Sequence, residues 1–385
     1  MRNVAVVIRV YKFRLYPTPA QTLALGTLLG RLRFFYNAAL QERRDGYKTG
    51  VNVTLSTQEK AITEVKNDPE CPEYAGVHTH LLQDVVKRLD RAFDGFFRRV
   101  KAGQAPGYPR FKGRDRFDTF TFKDAGKGRG ASINAGGARV RLHGIGNVKM
   151  KQHRPMEGVL KTIGVTRDEC GHWYALITRE LPTKPLPATG ESVGIDVGLA
   201  TFAALSDGTM IANPRPMKTA RIAVERAQRK VSRRKRGSKR RGKARLLLAK
   251  RHAHVANVRR DFHHKTARAI VQKYDRIAVE DLNVKGLARG MLAKSVHDAG
   301  WSQFVGFLAS KAEEAGRELV RVDPNGTSQE CSACGERVPK ALGVRVHRCL
   351  CGYTADRDVN AARNIHDRAF AVTRPGCGLR GGAAA

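Results

Sequence analysis

Four cysteines stand in two tight pairs toward the C-terminal end, Cys331-x-x-Cys334 and Cys349-x-Cys351. Each pair can offer two sulfurs from one turn, and the segment between them brings the second turn across to the first. That is the spacing of a tetrahedral zinc knuckle. Gly335 and Gly352, each directly after a pair, suit the sharp turns such a knuckle needs. The second pair is shorter than the commoner C-x-x-C, so His347, two residues upstream, is an alternative to one thiolate. A zinc site closed by thiolates is structural, so reactive chemistry has to come from other residues. Three acids fall at the ends or in the middle of apolar runs: Asp196 within Val193-Gly-Ile-Asp-Val197, Glu280 closing Ile277-Ala-Val-Glu, and Asp358 opening Asp358-Val-Asn-Ala-Ala-Arg-Asn-Ile. A carboxylate in a buried strand is costly unless it binds metal or has a partner. Taken singly, Asp358 reads equally well as a helix N-cap and Glu280 as a solvated strand end. Taken together, the three are a donor set that can hold two Mg²⁺ about 4 Å apart, one to activate water and one to stabilise a leaving oxygen.

The rest of the chain bounds what such a site would act on. With 385 residues there is length for two or three domains and a real core. Lys and Arg number 71 against 35 acids, a formal charge of +36 that makes a polyanion the default partner. An acidic membrane surface would call for one basic amphipathic helix beside an apolar anchor, whereas here the basic residues run the whole length. Nucleic acid is therefore expected, and neither a membrane nor a small-molecule substrate is. The apolar run Val4–Ile8 is broken by Arg9 and is too short for a secretory segment. An odd cysteine count of 7 beside a zinc site argues for a reducing compartment, hence a cytoplasmic protein.

The elements that must position these residues can be traced in order. Residues 3–15 are β-branched and alternating, which predicts a strand. Thr18-Pro19 has the form of an N-cap followed by proline at the first helical position, and Leu25, Leu28, Leu29, Leu32, Phe35, Tyr36, Ala39 and Leu40 continue at helical spacing. A second amphipathic helix spans about 80–100, with Phe96, Phe97 and Val100 expected on its core face. Short alternating runs up to about residue 180 predict a β-barrel or small sheet, and the proline-rich 181–190 a linker. Beyond it, Asp196 lies on one strand, a second strand ends at the Asp207-Gly208 turn, and Glu280 closes a third. Trp301, Phe304, Val305, Leu308 and Ala312 form the packing stripe of a helix before a strand starting at Glu318. The tail, from Gly376, reads as flexible and dispensable.

Two stretches are candidates for nucleic-acid contact. In residues 103–123 Gly, Pro, aromatic and basic residues interleave, which suits a loop tracking a phosphate backbone, with Tyr108, Arg110 and Lys112 as its contacts. An ordinary loop with cations lying along it is the plainer alternative. Residues 229–251 are the most basic part of the chain and contain no acid. Arg233, Arg234, Lys235, Arg236, Lys239, Arg240 and Arg241 there are expected to meet RNA, although a solvated helical face would look the same.

These residues, with YKFRLYPTPAQ near the N-terminus, GIDVGLATFAALSDG, IAVEDLNVKGL and CSACG followed by CLCGYTADRDVNAARNI, closely resemble the TnpB family of transposon-encoded RNA-guided DNA endonucleases, which is related to the compact type V CRISPR nucleases. The resemblance spans nearly the whole chain. It implies a multidomain α/β protein in which an RNase H-like (RuvC) nuclease domain, residues 186–325 and 352–385, carries a basic helical insert at about 215–270. A zinc-binding target-nucleic-acid-binding insert would occupy 326–351. The N-terminal half would be a wedge-like β-barrel, residues 1–15 and 105–185, interrupted by a helical recognition module at 16–104. Asp196, Glu280 and Asp358 match the three RuvC acids, and Cys331, Cys334, Cys349 and Cys351 match the zinc ligands. Asp358 is preferred to Asp356 because it heads the D-x-N-A-A motif; Asp356 is expected beside the site.

The activity so implied is cutting of double-stranded target DNA, next to a short flanking motif, under direction of a guide RNA derived from the element. Water would attack the phosphodiester in line at a Mg²⁺ site, leaving 5′-phosphate and 3′-hydroxyl ends. A catalytically silent RNA-guided binder and a transposase or its accessory protein are the alternatives. The unaltered acids weigh against the first, and the lack of an evident Tyr or Ser recombinase constellation against the second.

Overall fold

The computed structural model describes residues 6–341 and 343–371. Asn3, Val4 and Ala5 of the first predicted strand, and the tail with Cys377, lie outside the described residues. The chain forms two compact units that divide between Pro182 and Thr183.

In the first unit, β1 (Val6–Tyr16) alternates so that Val7, Tyr11, Phe13 and Leu15 point into the core while Val6, Ile8 and Val10 stay exposed. Thr18 then caps α1 (Pro19–Thr49) through a reciprocal capping box with Gln21, and Gly50, at φ 78°, ends the helix. The eight residues read at helical spacing are all buried. Helix α3 (Thr79–Lys101) packs on it, and α2 (Leu55–Asn67) packs on α3. Strands β2 (Thr119–Phe122), β3 (Ala131–Ile133), β4 (Arg139–Leu142), β5 (Gly146–Lys151), β6 (Val159–Arg167) and β7 (Trp173–Pro182) join β1 in an antiparallel sheet of seven, ordered β2-β6-β7-β1-β5-β4-β3. β1 is paired with β7 from Val6 opposite Pro182 to Leu15 opposite Trp173. This long pairing ties the start of the chain to a segment far along it, with α1 to α3 placed between them in sequence.

One part of the helical stripe departs from expectation. Phe93 is buried, but Phe97 is 54% exposed and Val100 also lies at the surface. The last turns of α3 lie outside the core that receives Leu81 to Phe93. Their rings instead meet one another and the loop that follows, with Phe96 edge-on to Tyr108 at 5.3 Å between centroids.

The second unit holds β8 (Ser192–Val197), β9 (Thr201–Leu205), β10 (Met210–Ala212), α4 (Pro216–Ser232), α5 (Lys239–Lys273), β11 (Arg276–Glu280), α6 (Val284–Leu287), α7 (Ala293–Ala299), α8 (Trp301–Glu314), β12 (Glu318–Val322), β13 (Val346–Arg348), β14 (Thr354–Asp356) and α9 (Arg357–Phe370). Its sheet runs β10-β9-β8-β11-β12, with β8, β11 and β12 parallel and the other two antiparallel. Ile195, Phe202, Val279, Trp301, Phe304 and Leu308 are part of one apolar core, built with α5 and α8. α9 packs on β8, β11 and β12 and carries Ile365 into a smaller cluster with Ala278 and Val322.

The division between the units falls within the proline-rich linker at 181–190, and most of that linker is docked. Leu181 and Pro182 belong to β7, and the backbone from Lys184 onward is fastened to the second unit. The Asp275 carboxylate accepts from the Thr189 and Gly190 amides and the Thr189 hydroxyl, while the buried Arg317 donates to Pro187 O and to Asp275. The prolines stiffen a docked strap rather than a flexible tether.

Candidate active site

Asp196 and Glu280 are brought together by strand register. β8 and β11 are parallel, with Ile195 opposite Val279, so the next residue on each strand is the acid. Asp358 arrives from α9. The capping role that sequence left open for it falls to Asp356, whose Oδ1 accepts from the Asp358 amide at 2.8 Å and the Val359 amide at 3.4 Å. The Asp358 side chain is thereby released to face β8, and a methyl group placed on Gly198 would lie 3.8 Å from its Oδ2. Gly194 lets α9 come this close: a Cβ there would stand 2.1 Å from Ala362 O.

The electrostatics follow from this convergence. Burial, then the charges of Glu280 and Asp358, raise the Asp196 pKa well above the ordinary carboxylate range. Burial also raises Glu280, against a lowering hydrogen bond from Thr327. Asp358 is raised by burial and by Asp356. Asp196 is thus withdrawn from water and repelled by both other acids, and all three offer oxygen donors. Donors of this kind suit a hard divalent cation, whose charge would offset both the burial and the repulsion. Arg345 lies at the rim, its Nη1 3.8 Å from Asp358 Oδ2.

The cysteines also converge. Their four sulfurs lie within 4.8 Å of one another. Sγ separations are 3.8 Å for Cys331 and Cys351 and 3.6 Å for Cys334 and Cys349. Zinc–sulfur bonds of about 2.3 Å give a tetrahedral edge of about 3.8 Å, so these residues fit Zn²⁺. His347 is not in the group. It is buried, with Nδ1 against the Lys340 ammonium.

Three residues that the sequence reading assigned no role connect the two clusters. Thr327 Oγ1 donates to Glu280 Oε1 at 2.6 Å. Asn364 Nδ2 donates to Thr327 O and to Glu330 O, each at 2.7 Å. Asn360 bridges Glu330 O, at 2.7 Å, and the Ser332 amide, at 2.9 Å. Both asparagines are fully buried, so the cysteine segment is stitched to the helix that carries Asp358. Their i, i+4 spacing on either side of Ala361 and Ala362 was the available signal for a buried polar face.

Three family models match this chain: one described as "Probable transposase" over residues 174–291, "Cas12f1-like, TNB domain" over 301–365, and "Helix-turn-helix domain" over 1–51. A Streptomyces pristinaespiralis protein named "Putative RNA-guided DNA endonuclease" is 35% identical over 380 residues, covering 97% of this chain and 92% of its own. The chain belongs to the TnpB family. The Escherichia coli (strain K12) protein "Putative RNA-guided DNA endonuclease InsQ" is 30% identical over 385 residues, covering 95% and 93%. A cryo-EM structure of a Cas12f1–sgRNA–target DNA complex shares the fold at a TM-score of 0.58 and 12% identity, over 94% of this chain and 99% of that one. In this TnpB-family chain the stretch matched as helix-turn-helix contains, among the described residues, β1 and the single helix α1.

The residues read as nucleic-acid contacts are scattered over both units. Tyr108 and Arg110 are exposed, and Lys112 is half-buried. Their loop is anchored where Asn37 donates to Lys112 O and accepts from the Lys112 amide. Arg44 lies over the Tyr108 and Phe111 rings. Arg233, Arg234, Lys235, Arg236, Lys239 and Arg240 are exposed at and beside the turn between α4 and α5. Arg241 differs. Its guanidinium turns inward and donates to Val231 O and Arg234 O, closing the hairpin. Among the described residues no helix is long and apolar enough to cross a membrane.

Proposed function

We propose that the protein is an RNA-guided DNA endonuclease of an insertion sequence, cutting at Asp196, Glu280 and Asp358 with Mg²⁺ beside a short motif that flanks the target. The observation that carries this is the meeting of the three acids at the ends of β8 and β11 and the first turn of α9, in a chain whose full-length relatives bear that name. The strand order β10-β9-β8-β11-β12, three antiparallel then parallel, supports an RNase H-like (RuvC) domain over residues 186–325 and 352–385. On the same reading, residues 326–351 are its zinc-bearing insert, 1–15 with 105–185 the wedge domain, and 16–104 the recognition module. Guide RNA and target DNA are the partners, and the +36 charge supplies the phosphate-binding surface.

Asp196, Glu280 and Asp358 would hold the catalytic cation, which when bound activates water and stabilises the leaving oxygen. The remaining chemistry is positional. Asp356 secures the helix turn that presents Asp358, and the Thr327 hydroxyl fixes the Glu280 carboxylate. Cys331, Cys334, Cys349 and Cys351 would hold a structural zinc, so that the segment bearing Thr327 keeps its place on α9.

Asp196→Asn tests the reading. With the element-end RNA bound, the variant should retain target binding but cut the DNA at least about a thousandfold more slowly, equivalent to about 4 kcal/mol of barrier. Cleavage at the wild-type rate by that variant sinks the proposal.

A further inference from the structure

Apart from the tetrathiolate, one other set of potential transition-metal ligands converges in the described residues, and it lies in the other unit. The β6–β7 hairpin turns through Asp168-Glu-Cys170-Gly-His172. Gly171, at φ +78°, closes the turn, with its amide donating to Asp168 O at 2.9 Å and the Asp168 amide donating to His172 O at 2.8 Å. That closure puts the side chains of residues 168, 170 and 172 on one side. A carboxylate oxygen of Asp168, Sγ of Cys170 and a ring nitrogen of His172 lie within 4.8 Å of one another.

The geometry points to a second transition-metal site, built of Asp168, Cys170 and His172, that takes a thiophilic divalent cation of the Zn²⁺ class and leaves a fourth position for water. The spacing carries the inference. His172 Nδ1 stands 3.3 Å from Asp168 Oδ2, a distance that also makes an i, i+4 ion pair when the ring is protonated. Two ligand bonds of about 2.05 Å at a tetrahedral angle span about 3.3 Å, the edge a bound zinc requires. Oxygen, sulfur and nitrogen from three residue types form the mixed set that Zn²⁺ accepts and Mg²⁺ does not. The carboxylate is already oriented. The His172 amide donates to Oδ1 at 2.7 Å, the Tyr174 hydroxyl donates to Oδ2 at 3.2 Å, and Arg14 donates to the Tyr174 oxygen at 3.3 Å. Such an outer layer holds metal ligands in place. A turn-capping aspartate that also pairs with the imidazole explains both contacts to His172, but it does not require a thiol at the same place.

Zinc counting on the full-length protein decides the matter. After equilibration with zinc and passage over a chelating resin, the wild type should retain two zinc ions per chain, and Cys170→Ser and His172→Ala one each. Asp168→Asn keeps an acceptor for the His172 amide, so the turn survives, and this variant should also retain one. Cobalt substitution gives a readout independent of these counts. Wild-type absorption should contain a single-thiolate component beside the tetrathiolate bands, and Cys170→Ser should remove only that component. One zinc in the wild type, two retained by Cys170→Ser, or a second ion stripped by the resin, and so adventitious, overturns the site.

Discussion

Glu280 is held between two opposing influences. Burial raises its proton affinity, and the 2.6 Å hydrogen bond from Thr327 lowers it. Thr327→Val removes the donor while keeping the shape, leaving the carboxylate free to rotate and harder to ionise. DNA cleavage should fall about tenfold, the equivalent of about 1.4 kcal/mol, and Thr327→Ser should restore it. Single-turnover rates with saturating RNA distinguish this from lost binding. Asp207 is the converse case, an acid used for stability. Burial alone would raise its pKa. The Lys273 ammonium at 2.8 Å, the Tyr274 hydroxyl at 2.6 Å and the Thr209 amide at 2.9 Å outweigh that and hold it far below the ordinary range. A depressed folded-state pKa means stability that is present above the unfolded value of about 3.9 and lost as the pH falls below it. Asp207→Asn should cost about 1–2 kcal/mol at neutral pH and flatten the stability curve below about pH 4. Thermal unfolding across pH measures both effects.

At the scale of elements, the junction between β8 and α9 sets the site, and it depends on a missing side chain. Gly194→Ala would drive a methyl group into Ala362 O and the His366 amide, both backbone atoms that cannot rotate away. α9 must then lift, taking Asp358 with it. We expect a loss of about 2–3 kcal/mol in stability, seen as a lowered melting temperature, and cleavage impaired even where the fold survives. Sequence showed Gly194 and the helix that Asp358 opens, but not that Gly194 faces Ala362 on that helix, because that contact joins residues far apart in the chain. What periodicity could show, it did: the buried stripes of α1 and α8, the alternation of β1, and the strands carrying Asp196 and Glu280. It failed where context decides. The stripe of α3 continues to Val100 in sequence, but the core receiving it does not. The proline-rich linker was legible before Gly190, but not that it is fastened down, because its buried partner Arg317 comes far later in the chain. Arg241 looked like its neighbours until the hairpin closed and turned it inward. Thr327 carried no pattern, since its hydroxyl matters only through Glu280.

For the molecule as a whole, charge decides how it meets its partners. A surplus of +36 guarantees attraction to any polyanion, so affinity alone says little about where RNA lies. Salt dependence says more, because each phosphate neutralised releases counterions and adds about 0.7 to the slope of log affinity against log salt for a single strand, or 0.9 for a duplex. The turn between α4 and α5 presents Arg233, Arg234, Lys235 and Arg236 to solvent, whereas Arg241 is committed to backbone carbonyls. Replacing those four with serine leaves the hairpin's closing bonds and the acid site intact. If they track the guide, the slope for RNA binding should shrink by about 3, with little change in the rate of cutting once the complex is saturated. Arg241→Ser should instead lower thermal stability and change the slope by less than one contact's worth. A slope unaltered by the fourfold replacement would make this basic tip a solvated face and move the RNA path elsewhere on the surface.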